Sequence, residues 1–332
     1  MSRLTQTLIP PSQRQTAAEM SDALDLGYGD LSSKRSGFLI MLTLSGMIAI
    51  AGVLSDSTAT VIGAMIIAPL GTPILGIAWG IVSGHLSLVL RSIMWVFVGL
   101  VIVIVLGLVF AVFVATPESL ETNSQVVGRI SPSLMDLIAA LATGFAGGFA
   151  MCRKDLSAVL PGVAIAISLV PPLGVVGVCV GQGLWESALG AFILFLSNVF
   201  ALVIAGSIVF TMAGYARDPE SSPSANRRRA YIVVAVLAVI IAVPLALNSI
   251  ATIALARWSV AIQQGTADWL EASPGARVYD VEWNGLTATV EVTTDDGEIP
   301  PIEGLEKSLA AVIPGYVGIV LDVGQGVEIV VR

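Results

Sequence analysis

Seven apolar stretches, each about long enough to span a bilayer, dominate this sequence: Phe38–Leu54, Thr58–Gly84, Ile93–Ala115, Ser133–Met151, Leu156–Gly183, Ser187–Ala213 and Ala230–Ile250. A spanning helix needs about 20 predominantly apolar residues, because lipid offers the backbone no hydrogen-bond partners. Only 12% of the residues are charged, against the ~25% of an ordinary soluble domain. That excludes a plain cytosolic enzyme, a disordered chain and a disulfide scaffold. The expected fold is an all-α polytopic membrane core with a small C-terminal α+β domain.

The charge is placed unevenly. Residues 258–332 hold twelve acids against Arg277, Lys307 and Arg332, so the acidic balance belongs to the C-terminal domain and the rest is nearly neutral. No Lys/Arg cluster there suits phosphate, so nucleic acid is not an expected partner. Lys34 and Arg35 precede the first stretch. Alternate counting then puts Arg91, Arg153, Lys154, Arg217 and Arg227–Arg229 on the same side. Positive residues favour the cytoplasm, so the expectation is a multi-pass membrane protein with its N-terminus inside and C-terminal domain outside. The alternative has Thr58–Gly84 and Leu156–Gly183 as re-entrant hairpins. Residues 1–37 read as a polar arm, either mobile or a short surface helix, without a cleavable leader.

Shifting the chain by 99 residues aligns the first three stretches with the next three. Asp56 falls on Asp155, Gly63 on Gly162, Leu70 on Leu169, Pro73 on Pro172, Gly84 on Gly183 and Gly107 on Gly206. Three spans per unit turn the second copy upside down, which predicts a 3+3 inverted repeat over 38–115 and 133–213. Residues 230–257 supply a seventh helix and its extension. Such repeats are common in transporters, whose sites lie at broken helices near the midplane.

The second stretch is interrupted by Pro69, Gly71, Thr72 and Pro73, the fifth by Ser168, Pro171 and Pro172. Proline deprives a carbonyl of its helical donor, so such backbone is either re-satisfied as a packing kink or left to line a polar path. A small polar or ionic solute is the ligand this pattern would take, with Thr72 and Ser168 offering hydroxyls. At the corners, Asp56, Ser57 and Asp155 read first as helix caps and second as charged groups at the two mouths of a path. Asn198, midway along the sixth stretch, reads as an interhelical amide or a lining group. Gly76/Gly80/Gly84, Gly144/Gly148 and Gly177/Gly181 fit GxxxG and predict tight packing or, together with the C-terminal domain, a homo-oligomer.

The run Val61–Ile74, with Gly63-Ala64-Met65-Ile66-Ile67-Ala68-Pro69-Leu70-Gly71-Thr72-Pro73 at its centre, resembles the signature of a prokaryotic membrane family. So does Pro161–Leu173, ending Ser168-Leu169-Val170-Pro171-Pro172-Leu173. The family is the "uncharacterized hydrophobic domain" group, domain of unknown function 389, and the resemblance covers about residues 35–215. It implies a bacterial or archaeal location in the cytoplasmic (inner) membrane and no settled activity. Family members often have Met where this chain has Gly71.

In the C-terminal domain, Arg277–Trp283 and Leu286–Thr293 alternate about Asn284-Gly285, a hairpin signal. A helix over Ile302–Val312 and strands over Val317–Val323 and Val327–Val331 complete the expected sandwich. No metal or cofactor set is present in the sequence. Enzyme readings are poor: Gly27-Tyr28-Gly29-Asp30 lies outside any span, and His85 has only Ser83 beside it. The expected function is a transporter or channel-like protein. The alternative is a membrane-anchored sensor or assembly subunit acting through the C-terminal domain.

Overall fold

The computed structural model describes residues 8–114, 116–156, 169–217, 257–270, 275–284, 287–294, 299–310 and 312–325, with isolated positions between 232 and 273. The chain divides into two compact units, Met1–Ala246 and Leu247–Arg332.

The first unit is helical. A short α1 (Ala17–Leu24) precedes α2 (Leu31–Leu54), α3 (Thr58–Ile67), α4 (Gly71–Ser83) and α5 (Leu86–Phe110). Two small helices, α6 (Glu118–Glu121) and α7 (Ser124–Ile130), lead to α8 (Leu134–Met151), α9 (Val170–Gly181) and α10 (Trp185–Met212). Among the described residues four helices are long and apolar enough to cross a membrane: Leu31–Leu54, Leu86–Phe113, Leu134–Met151 and Trp185–Met212. Helices α3 and α4 together make a fifth candidate, bent by 48°. Ile40, Leu44, Met94, Phe97, Val101 and Val105 are exposed on the long helices, an apolar surface that lipid would cover. The first part of the fifth expected stretch and nearly all of the seventh lie outside the described residues.

Residues 8–30 are not a loose arm. Thr16 and Glu19 form a reciprocal capping box at the start of α1, so two amides that a helix start leaves free are satisfied. Met20 and Leu24 are fully buried, and Leu26 is buried beside them. The short helix anticipated as one alternative is therefore present, but its apolar side is sunk into the unit.

The glycine pairs serve contacts inside the chain. Where α5 crosses α9, a Cβ on Gly107 would stand 2.7 Å from the Gly174 carbonyl oxygen and from the Gly177 Cα. Where α10 crosses α4, a Cβ on Gly206 would meet Leu75 Cδ2 at 2.8 Å and Ala78 Cβ at 3.2 Å. Positions 107 and 206 lie 99 apart, as do 75 and 174, and 78 and 177. Gly144 and Gly148 of α8 likewise face Leu202, Ala205 and Gly206 of α10. The same offset governs two turns. Gly84 and Gly183 both have φ +79°, a left-handed conformation open to glycine at no steric cost. The following amides, His85 and Leu184, donate back to Gly80 and Cys179 carbonyls, each at 2.9 Å. Helices α5 and α10 then begin at Leu86 and Trp185.

The second unit opens with a helix over 257–270 and continues with β1 (Arg277–Asn284), β2 (Thr287–Thr294), α11 (Ile302–Ala310) and β3 (Gly318–Gln325). Strand β1 runs antiparallel to β2, with a register shift between Val278 and Asp280, and β3 runs parallel to β2 across the α11 connection. Alternation along β2 buries Ala288, Val290 and Val292 in one core with Ile262, Leu270, Leu305 and Leu309 from the two helices. Both helices thus lie on one sheet face. The expected strand Val327–Val331 lies outside the described residues.

Candidate functional site

The break between α3 and α4 follows from Pro69. Its ring denies the Met65 carbonyl a donor four residues on, and it forces the preceding residue out of the helical region. Ala68 is accordingly extended (φ −71°, ψ 123°), and the chain restarts at Leu70. The Thr72 amide donates to the Pro69 carbonyl at 3.2 Å and the Ile74 amide to the Leu70 carbonyl at 3.4 Å. No side chain caps α4. Ala68, Pro69 and Thr72 are half-buried, while Leu70, Gly71 and Pro73 are buried.

The second proline segment is described only from Leu169 onward. Pro171 and Pro172 occupy the first positions of α9, where a missing N–H costs nothing, so they start a helix. Both are buried, as are Leu169, Val170 and Leu173. Ser168 lies outside the described residues. Leu70 and Leu169, 99 residues apart, belong to one apolar core together with Leu42, Val103 and Phe195.

The unit has two polar ends. One gathers residues 8–30, the Ser83–His85 turn, Arg91, residues 152–155 and Tyr215. There Trp79 Nε1 donates to Ser21 Oγ at 3.0 Å, Tyr215 Oη to the Gln15 carbonyl at 2.7 Å, Arg91 pairs with Asp25, and Lys154 pairs with Glu19 at 2.8 Å. The other gathers residues 53–58, 111–130 and 182–185. There Ser124 Oγ donates to Asp56 at 2.6 Å, Asn123 Nδ2 to the Val53 carbonyl at 2.8 Å, and Gln182 Nε2 to the Ala111 carbonyl at 2.7 Å.

The corner residues divide their roles. Ser57, not Asp56, caps α3, accepting from the Thr60 amide. Asp56 instead takes Ser124 Oγ and the Gln125 amide at 3.2 Å, serving the start of α7 from 68 residues away. Those bonds, the Ser124 hydroxyl first, hold its carboxyl below the usual aspartate range. Asp155 is bound to Arg153 at 2.7 Å, and that guanidinium likewise lowers its pKa. Asn198 is buried within α10. His85 is exposed, its ring Nδ1 3.0 Å from Ser83 Oγ, while that hydroxyl donates to the Trp79 carbonyl. Sequence reading missed Glu19, Asp25, Ser124 and Gln125. The Thr16-x-x-Glu19 spacing was the one local signal for any of them.

The matched sequence covers both proline segments. Residues 65–204 match the domain of unknown function DUF389. The DUF389 stretch begins within α3 and ends within α10, leaving out residues 8–30 and the C-terminal unit. An uncharacterized protein of the archaeon Methanocaldococcus jannaschii is 35% identical over 185 residues, 56% of this chain and 57% of its own length. The chain thus matches less than two thirds of that relative. No solved structure matches this chain.

Proposed function

We propose that the first unit carries a small polar or ionic solute across a prokaryotic cytoplasmic membrane, as a transporter or channel rather than an enzyme. The observation that carries the reading is the bent α3–α4 pair, with uncapped backbone at Gly71 and a half-buried Thr72 at the break. Uncapped backbone at that depth is tolerated where it is buried in protein or lines a hydrated path. The second element is α9, whose first turn carries Pro171 and Pro172 between Val170 and Leu173, two members of the same apolar core as Leu70.

Inverted 3+3 symmetry accounts for the contacts at offset 99. Gly107 meets α9 as Gly206 meets α4, and the Gly84 and Gly183 turns have one geometry. Alternation between the two polar ends supports six crossings, which with the basic residues at 34, 35, 91, 153 and 154 favours an N-terminus inside. A seventh crossing over 230–250 would then put the C-terminal unit outside. In this reading Pro69, Gly71, Thr72, Pro73, Ser168, Pro171 and Pro172 border the path, and Asn198 lines it. Asp56, Ser57 and Asp155 stand at its opposite mouths. Uptake into proteoliposomes across a panel of ions and small solutes tests this. Flux above empty vesicles that falls in Pro69→Ala supports it; a panel with no flux above background refutes it.

One observation favours the sensor reading as second. In the C-terminal unit a cavity of about 280 Å³ lies between α11 and β3, lined by Leu305, Leu309, Ile313, Ile319 and Leu321. Deleting residues 258–332 separates the two: a transporter core keeps its flux, whereas a sensor loses its response.

A further inference from the structure

We infer that residues 8–30 and 116–130 are paired clasps, one at each polar end, each gripping the corner of the opposite half, and that different chemistry lets them open independently. The inference takes the 99-residue repeat from the proposed reading but requires no transport.

At the first end, the Gln15 amide donates to the Cys152 carbonyl at 3.0 Å and the Lys154 amide to the Gln13 carbonyl at 2.7 Å. Arg153 Nη1 reaches the Leu8 carbonyl at 3.2 Å, and the Arg14 guanidinium lies 4.1 Å from the Tyr215 ring centre. At the second end, Asn123 Nδ2 donates to the Val53 carbonyl, and Gln125 Nε2 to Thr58 Oγ1 at 2.8 Å. Val53 and Cys152, the two corner carbonyls that accept, are 99 residues apart. Each clasp also rests on its own half at equivalent positions. Asp25 pairs with Arg91, and the Ile130 carbonyl lies against Gly190, where a Cβ would collide with it. Residues 17–33 and 116–132 are themselves offset by 99; inside that window Glu19 reaches the opposite corner at Lys154, and the bonds from Leu8, Gln13 and Gln15 precede it.

The chemistry of the two ends differs. The first clasp adds opposite charges, Glu19 with Lys154 and Asp25 with Arg91, to its backbone hydrogen bonds. The second uses one carboxylate, Asp56, facing neutral donors. Its acid is matched at the first end by Asp155, which turns instead to Arg153. Salt screens pairs of exposed charges, with a Debye length of about 3 Å at 1 M, and leaves neutral hydrogen bonds nearly unaffected.

Hydrogen exchange of the full chain in lipid nanodiscs tests this, comparing peptides from 8–24 with peptides from 116–130. Raising salt from low concentration to 1 M, or Lys154→Gln, is expected to speed exchange in the first segment about two- to five-fold, as for loss of an exposed ion pair. The second segment should keep its rate. Asp56→Gly keeps the left-handed backbone of that residue (φ 50°) and removes its carboxylate. It should speed 116–130 and leave 8–24 unchanged. Lys154→Arg keeps a cation opposite Glu19 and leaves the α1 capping box untouched, so it should keep the first segment's exchange rate. Both segments accelerating together, or the first ignoring salt, overturns the inference. Neither result bears on whether solute flux is found.

Discussion

The crossing of α5 and α9 offers a sharp test because it opposes backbone to backbone. In Gly107→Ala the new methyl would lie 2.7 Å from the Gly174 carbonyl oxygen and from the Gly177 Cα. Carbon contacts relax at about 3.5–4.0 Å, so the two helices must part by roughly 1 Å, and neither neighbour has a side chain that can rotate away. Overpacking of this kind costs about 1–3 kcal/mol. Alanine also gains about 1 kcal/mol over glycine in a helix. Gly63→Ala isolates that gain, since a Cβ there meets nothing within 4 Å. The stability difference between the two variants is therefore the clash itself, about 1–3 kcal/mol. Gly206→Ala should fall between them, because Leu75 Cδ2 is the movable end of a side chain. Unfolding by SDS titration in mixed micelles, followed by tryptophan fluorescence, measures all three. If Gly107→Ala is as stable as Gly63→Ala to within about 0.5 kcal/mol, the close crossing is wrong.

Three other outcomes are expected. The hydrogen bond from Lys154, then that from the Thr16 amide, holds the Glu19 carboxyl at about 2 instead of 4.5. A lowered folded value means the contact is whole above about 4.5 and is lost as pH falls towards 2. Emission from a variant keeping Trp79 as sole tryptophan should thus be constant from pH 7 to 5 and shift only below that window. Arg91→Met strands Asp25, whose side chain is 5% exposed, with the Gly27 amide donating to its Oδ1 at 2.7 Å. The loss should be about 1–3 kcal/mol in the same titration, below the cost for a fully buried pair because Arg91 is 43% exposed. Cys152, at the corner after α8, has its thiol pushed up to about 12 by burial. In a Cys179→Ala background it should resist maleimide at pH 7.5 and react faster in Lys154→Gln, read by mass shift.

What could be read in the sequence was what depends on near neighbours. Pro69 breaks the helix because ring and missing donor act within four residues. The Asn284-Gly285 hairpin likewise announced β1 and β2. Capping was less legible: Asp56 and Ser57 are adjacent, and only the fold decides that the serine serves α3 while the aspartate reaches α7. The burial of α1 was hidden for the same reason. Met20 and Leu24 are too few to form a stripe on their own, and Glu19 meets Lys154 across 135 positions. Pro171 and Pro172 show the limit of a residue-level rule, since a proline pair ends one helix or begins the next according to where the first turn lies.

The crossing of α5 with α9 and that of α10 with α4 use corresponding residues in exchanged roles, so the surface each half offers is also the surface it needs. Under the proposed inverted repeat a half is self-complementary once flipped, and residues 8–115 expressed alone would pair with a second molecule inserted the other way round, making from two short polypeptides what this protein builds from one.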